Sequence, residues 1–165
     1  MNDIGITLPD IPWLYTALAE WLSCMVFIFY MKRKLHGVKL GVLCVTALLV
    51  QGLFLGFTGG LDGVWWILCM MSAIFLMILF LYLTCEVNWK DAVYCGAFAF
   101  IMAETAASME WQLSLYWGNV YDDKGLLSRC MILIIVYGII YAVFWRMNRL
   151  LLPRGERLDI DVREL

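Results

Sequence analysis

Five stretches of about twenty predominantly apolar residues run through the chain, and no other feature constrains its fold as strongly. They lie roughly at 11–31, 40–58, 64–84, 91–111 and 126–145. At 1.5 Å rise per residue, a helix of that length crosses the roughly 30 Å hydrocarbon core of a bilayer. Within lipid every backbone N–H and C=O has to be satisfied internally, which leaves helices and closed barrels. A barrel strand alternates apolar and polar residues over about ten positions, whereas these runs are solidly apolar. The expected fold class is therefore all-α, a polytopic transmembrane helical bundle of about five spans. Composition agrees: of 165 residues, 64% are hydrophobic and 16% charged. A soluble domain of this size has no interior large enough for so much apolar surface.

The distribution of charge predicts an orientation. Lys32, Arg33, Lys34 and Lys39 follow the first run, Lys90 follows the third, and Arg146, Arg149, Arg154, Arg157 and Arg163 follow the fifth. These ten of the twelve basic residues fall on one side, and only Lys124 and Arg129 fall on the other. The positive-inside rule then puts the N-terminus outside and the C-terminus in the cytoplasm. Trp13, Trp65, Trp66, Trp111, Trp117 and Trp145 sit near the predicted helix ends, where an aromatic belt anchors spans at the interfaces. The acidic opening MNDIGITLPD lacks the basic start of a signal peptide. A net charge of −2 offers no nucleic-acid surface. The longest outer connection is expected at 112–125. Residues 1–152 read as the membrane domain, and 153–165, opening with Pro153 and Gly155, as a cytoplasmic connector to a further C-terminal part.

Polar residues inside the runs are the candidates for chemistry, because an ionisable group in a span is costly and needs a partner or a wet cavity. Glu20, Gln51 and Glu104 all fall near mid-depth and are expected to form one polar cluster, with a protonated carboxyl donating to Gln51 or to a backbone carbonyl. Interhelical bonding of this kind serves either as structural glue or as a ligand, proton or ion site. Glu110 and Arg129 lie shallower and could pair across the fourth and fifth runs. Ala99, Ala103 and Ala107 form a small-residue ridge along which helices can approach closely. Glu104, Ser108 and Trp111 follow one adjoining stripe by their helical spacing.

Other chemistry has no signature. Cys24, Cys44, Cys69, Cys85, Cys95 and Cys130 are scattered without a CxxC pair, so they read as packed thiols. His36 is the sole histidine and reads as a solvated loop residue. No nucleotide, hydrolase or zinc-protease motif is present, so no catalytic residue, metal or cofactor is expected of these residues.

The stretch Ala103-Glu104-Thr105-Ala106-Ala107-Ser108-Met109-Glu110-Trp111-Gln112-Leu113 resembles the N-terminal membrane domain of Firmicutes-type sensor histidine kinases with a GHKL-type ATPase domain, relatives of the peptide-pheromone receptor kinases of quorum sensing. The acidic N-terminus, the basic first loop and the segment Arg157-Leu158-Asp159-Ile160-Asp161-Val162-Arg163-Glu164-Leu165 fit the same layout. The resemblance implies a multi-pass domain of the bacterial cytoplasmic membrane, part of a two-component system. Its ATP-binding, dimeric kinase half would lie beyond these residues. Such a domain would take an unidentified small molecule or peptide as its signal. The expected input surface is the outer end of the fourth span, with Glu104, Ser108, Glu110, Trp111, Gln112 and Tyr116, followed by Trp117. The alternative is a small transporter subunit, such as the substrate-binding component of a vitamin-type importer. The runs show no inverted repeat of the kind many transporters carry.

Overall fold

A computed structural model describes residues 11–58, 63–121 and 125–151. Five helices account for nearly all of them: α1 (Trp13–Tyr30), α2 (Val38–Thr58), α3 (Val64–Thr84), α4 (Trp89–Tyr121) and α5 (Leu126–Leu151). All five are long and apolar enough to cross a membrane. The chain is thus an all-α, multi-pass membrane bundle whose outer faces meet the lipid. The acidic N-terminal segment, Lys124 and the expected connector at 153–165 lie outside the described residues.

Local chemistry sets the helix starts. Pro12 precedes α1 with φ −59°, a value its ring imposes. Gly37 (φ 61°) and Gly63 (φ 64°) stand just before α2 and α3 in left-handed backbone that other residues adopt only with strain. Hydropathy places the end of the fourth span near residue 111, yet α4 runs on to Tyr121, 33 residues in all. At 1.5 Å per residue that is about 50 Å, against the roughly 30 Å of hydrocarbon. The polar residues after Trp111 end the apolar run but do not break the helix. The expected loop at 112–125 is therefore mostly helix.

The first helix is the hub. It packs against all four others, and those touch one another only in chain order, α2 on α3, α3 on α4 and α4 on α5. Helices α2 to α5 thus form an arc around α1, open between α2 and α5. Half of the α1 span is buried, against 17% of α2 and of α5. Lipid tails are as apolar as leucine, so close packing rather than hydrophobic exclusion joins helices in a bilayer. The residues fit that demand. On α1, Ala17, Ala19, Ser23 and Cys24 are buried, and on α4, Ala99, Ala103, Ala106 and Ala107 are buried. Gly96 brings α4 onto α3 so closely that an added Cβ would collide with the Ile78 side chain. Toward the end bearing Lys32 to Lys34, Phe27, Phe98 and Phe144 pack as a cluster joining α1, α4 and α5, with centroids 5.4 to 6.4 Å apart.

At that basic end a clamp joins the α1–α2 and α3–α4 connections. Arg33 and Cys85 form an antiparallel bridge. The Lys34 N–H donates to the Thr84 carbonyl and the Glu86 N–H to the Lys32 carbonyl, each at 2.8 Å. Arg33 Nε donates to the Ile28 carbonyl at 2.9 Å, and Lys34 Nζ to the Tyr82 carbonyl at 2.8 Å. Two side chains of one loop therefore satisfy last-turn carbonyls of α1 and of α3, where positive charge also complements the helix dipole. Lys32 and Glu86 add an ion pair at 2.7 Å, which contributes little at this exposure.

Candidate functional site

Glu20 sits at the middle of the hub helix with no exposed surface. Gln51 on α2 is 6% exposed, and its Nε2 donates to Glu20 Oε2. The expected pair is formed, with the amide rather than the carboxyl as donor. Glu20 Oε1 has no hydrogen-bond partner. Glu104, half-buried on α4, lies within electrostatic reach of Glu20, and its own Oε1 is buried and unpartnered. The structure thus joins Glu20 and Gln51 directly and brings Glu104 near without closing the cluster.

Beside the pair, α1, α2 and α3 enclose a cavity of about 150 Å³. Its inner wall carries Glu20, Cys24, Met77 and Gln51, all buried. Its rim carries Thr46, Val50 and Leu83, all exposed on the outside of the bundle. In the membrane that rim faces lipid, so the cavity opens sideways between α2 and α3. Trp21 closes one side and donates its indole N–H to the Cys44 carbonyl at 2.9 Å.

A second polar seam runs where α1, α4 and α5 meet. The Tyr137 hydroxyl donates to the Tyr15 carbonyl at 2.8 Å and the Tyr141 hydroxyl to the Ala19 carbonyl at 2.6 Å. Ser23 Oγ lies 3.1 Å from the same Tyr141 hydroxyl. Glu110 has no exposed surface, and both of its carboxyl oxygens lack a partner. It is buried within electrostatic reach of Tyr137, Tyr15 and Arg129. The expected Glu110–Arg129 pair is therefore not a hydrogen-bonded ion pair. The tyrosines escape a reading of the apolar runs, where Tyr counts as an interfacial anchor. Their only sequence signal is the four-residue spacing of Tyr137 and Tyr141 on one face of α5.

The six residues expected to form an input surface spread around α4. Glu110 is buried; Glu104, Ser108 and Trp111 are half-buried; Gln112 and Tyr116 are exposed. The Trp111 ring lies 6.4 Å from Tyr15, while Trp117 packs on Tyr121 at 4.3 Å farther along the helix. The continued helix separates these groups instead of folding a loop over them.

Cys24, Cys44, Cys85 and Cys95 are buried. At the end of α3, burial pushes the Cys85 thiol up, with the Thr84 hydroxyl opposing the effect. No group of described His, Cys, Asp or Glu residues could hold a metal ion. No family model, curated protein or solved structure matches the chain.

Proposed function

We propose that the chain is the signal-sensing membrane domain of a bacterial sensor histidine kinase, acting as a dimer and passing a helix displacement to a cytoplasmic GHKL-type ATPase half in a longer parent. Support comes from its buried carboxyls. Glu20, Glu104 and Glu110 lie on α1 and α4, the two most buried spans, and leave four buried carboxyl oxygens without a partner. Such groups destabilise a bundle and mark functional sites within membranes. Their position suits a switch. A change at Glu20 acts on the one helix that touches all others, and α5 carries the displacement toward the basic side. The orientation in this reading is N-terminus outside and C-terminus in the cytoplasm.

The test uses the parent gene product reconstituted in bilayers. Substituting Glu20, Glu104 and Glu110 with Gln one at a time should change basal or signal-dependent autophosphorylation by about tenfold in at least one variant, the scale of a typical coupling energy. Membrane insertion should stay unchanged. Unaltered phosphorylation in all three variants, or a reading frame past Leu165 that encodes no ATPase domain, would overturn the proposal.

A further inference from the structure

We propose that the groove between α2 and α3 at the basic end of the bundle binds one anionic phospholipid of the surrounding bilayer, with an acyl chain in the lateral cavity and its phosphate on Lys34 and Lys39. The inference is independent of the sensing reading.

The cavity wall selects a hydrocarbon chain. It is almost wholly apolar, and its rim at Thr46, Val50 and Leu83 lies open to lipid. The polar groups beside it ask nothing of an occupant. The Thr46 hydroxyl already donates to the Val42 carbonyl at 2.8 Å, and Glu20 has no exposed surface. Such a wall offers dispersion contacts alone, which a lipid chain supplies along its length.

The depth of the cavity selects the leaflet. On α2 its lining runs from Leu43 to Gln51, hence from roughly 6 Å to roughly 18 Å beyond Lys39 along the helix axis. Half of the hydrocarbon core is about 15 Å. The chain in the cavity therefore belongs to a lipid whose head lies at the basic end. Lys39, Leu43, Thr46, Ala47 and Val50 share one stripe of α2 by their three- and four-residue spacing, which sets the Lys39 cation over the mouth of the cavity.

The cations select the head group. Lys34 reaches from the α1–α2 connection to α3, where its Nζ donates to the Tyr82 carbonyl and lies 4.4 Å from the centre of the Tyr82 ring. Tyr82 adjoins Leu83 on the rim. Arg33 is held in the same way, by the Ile28 carbonyl and, at 4.9 Å, over the Phe29 ring. A carbonyl and a ring fix each side chain in place and leave its charge unneutralised. Glu86 in the same clamp is ion-paired with Lys32 at 2.7 Å, and among the described residues Arg33, Lys34 and Lys39 have no carboxylate partner. Basic pockets between spans take anionic head groups, each cation contributing about fivefold.

The experiment uses the full 165-residue chain in non-ionic detergent micelles, with retained lipid counted by native mass spectrometry. The probes are dioleoylphosphatidylglycerol, dioleoylphosphatidylcholine and glycerol phosphate. They carry charge with chains, chains without net charge, and charge without chains. Wild type should retain one phosphatidylglycerol at least about tenfold more tightly than phosphatidylcholine, and glycerol phosphate should not displace it. Lys39→Gln should weaken phosphatidylglycerol about fivefold, and Lys34→Gln with Lys39→Gln roughly thirtyfold, with phosphatidylcholine unchanged. Arg146→Gln with Arg149→Gln removes equal charge on α5, which touches neither α2 nor α3, and should alter neither lipid. Ala47→Leu fills the cavity and Val50→Trp covers its rim, so each should weaken both lipids. Circular dichroism and gel filtration identify any variant that does not fold. Lys39 and Val50 are exposed, so one head-group variant and one cavity variant stay readable. Equal retention of the two phospholipids, or an equal loss in the α5 variant, overturns the head-group site and leaves unspecific charge at the basic end. Displacement by glycerol phosphate overturns the lipid and makes the ligand a soluble phosphate. Retention unchanged by both cavity variants overturns the placement of the chain.

Discussion

Gln51 holds one oxygen of a carboxyl that has no access to water, so removing its amide orphans both. Gln51→Leu should destabilise the bundle by about 1–3 kcal/mol, the cost of a buried polar group left unmet. Adding Glu20→Leu should recover most of that loss, because apolar replacement of both partners is nearly neutral. Reversible unfolding in mixed micelles measures the cycle. A double variant that loses the sum of the two single losses would show that the residues are not coupled. Glu20 and Gln51 were legible in the sequence because a polar side chain inside an apolar run has few tolerable surroundings. Tyr137 and Tyr141 were not. Their hydroxyls bond to α1 carbonyls 122 positions away, and only the fold brings those carbonyls within reach. For the same reason the sequence allows Glu110 a pair with Arg129, whereas the structure buries it with both carboxyl oxygens unpartnered. Depth can be counted along a run, but the face a residue takes depends on which neighbour its helix meets.

The helices themselves were largely legible, because a span must be long and apolar whatever it packs against. The exception is α4, whose second half is polar and helical at once. Hydropathy reports where lipid ends and is silent on where the backbone stops turning. Inside the bilayer the same helix depends on small residues, and Gly96 is the sharpest case. A Cβ there would collide with Ile78 on α3. Gly96→Ala should therefore cost about 1–3 kcal/mol as an overpacked contact, despite alanine's better helix propensity. Ile78→Ala in the same chain should restore most of it by opening the space. The micelle unfolding assay reads this cycle as well. A Gly96→Ala variant as stable as the wild type would mean that the two helices separate easily and that Gly96 does not fix their spacing.

At the scale of the whole molecule, α1 and α4 have the lowest mean hydropathy of the five spans and are the most buried, while the three more apolar helices face outward. In a membrane the driest residues belong on the lipid side, since the interior is the only place for polar groups to find partners. That ordering was present in the sequence, but the hub arrangement also needs the small-residue contacts, which have no direction until the helices are assembled. Orientation rests on charge alone. Lys32, Arg33, Lys34, Lys39, Lys90, Arg146 and Arg149 all lie toward one end of the described bundle, and Arg129 lies toward the other. In the proposed orientation, which follows the positive-inside rule, the first end would be cytoplasmic, and the clamp built from Arg33 and Lys34 would hold α1 and α3 together on that side. At the far end α4 is expected to extend beyond the hydrocarbon, since its 33 residues exceed the about 20 needed to span it. Both features can be read in one experiment. In a background with the six native cysteines replaced, single cysteines at His36 and at Asn119 report opposite ends of the bundle. A membrane-impermeant maleimide applied to intact cells should label Asn119→Cys, and His36→Cys only after permeabilisation. Labelling of His36→Cys in intact cells with Asn119→Cys protected would invert the topology. Protection of Asn119→Cys under both conditions would place the end of α4 inside the bilayer and contradict its projection.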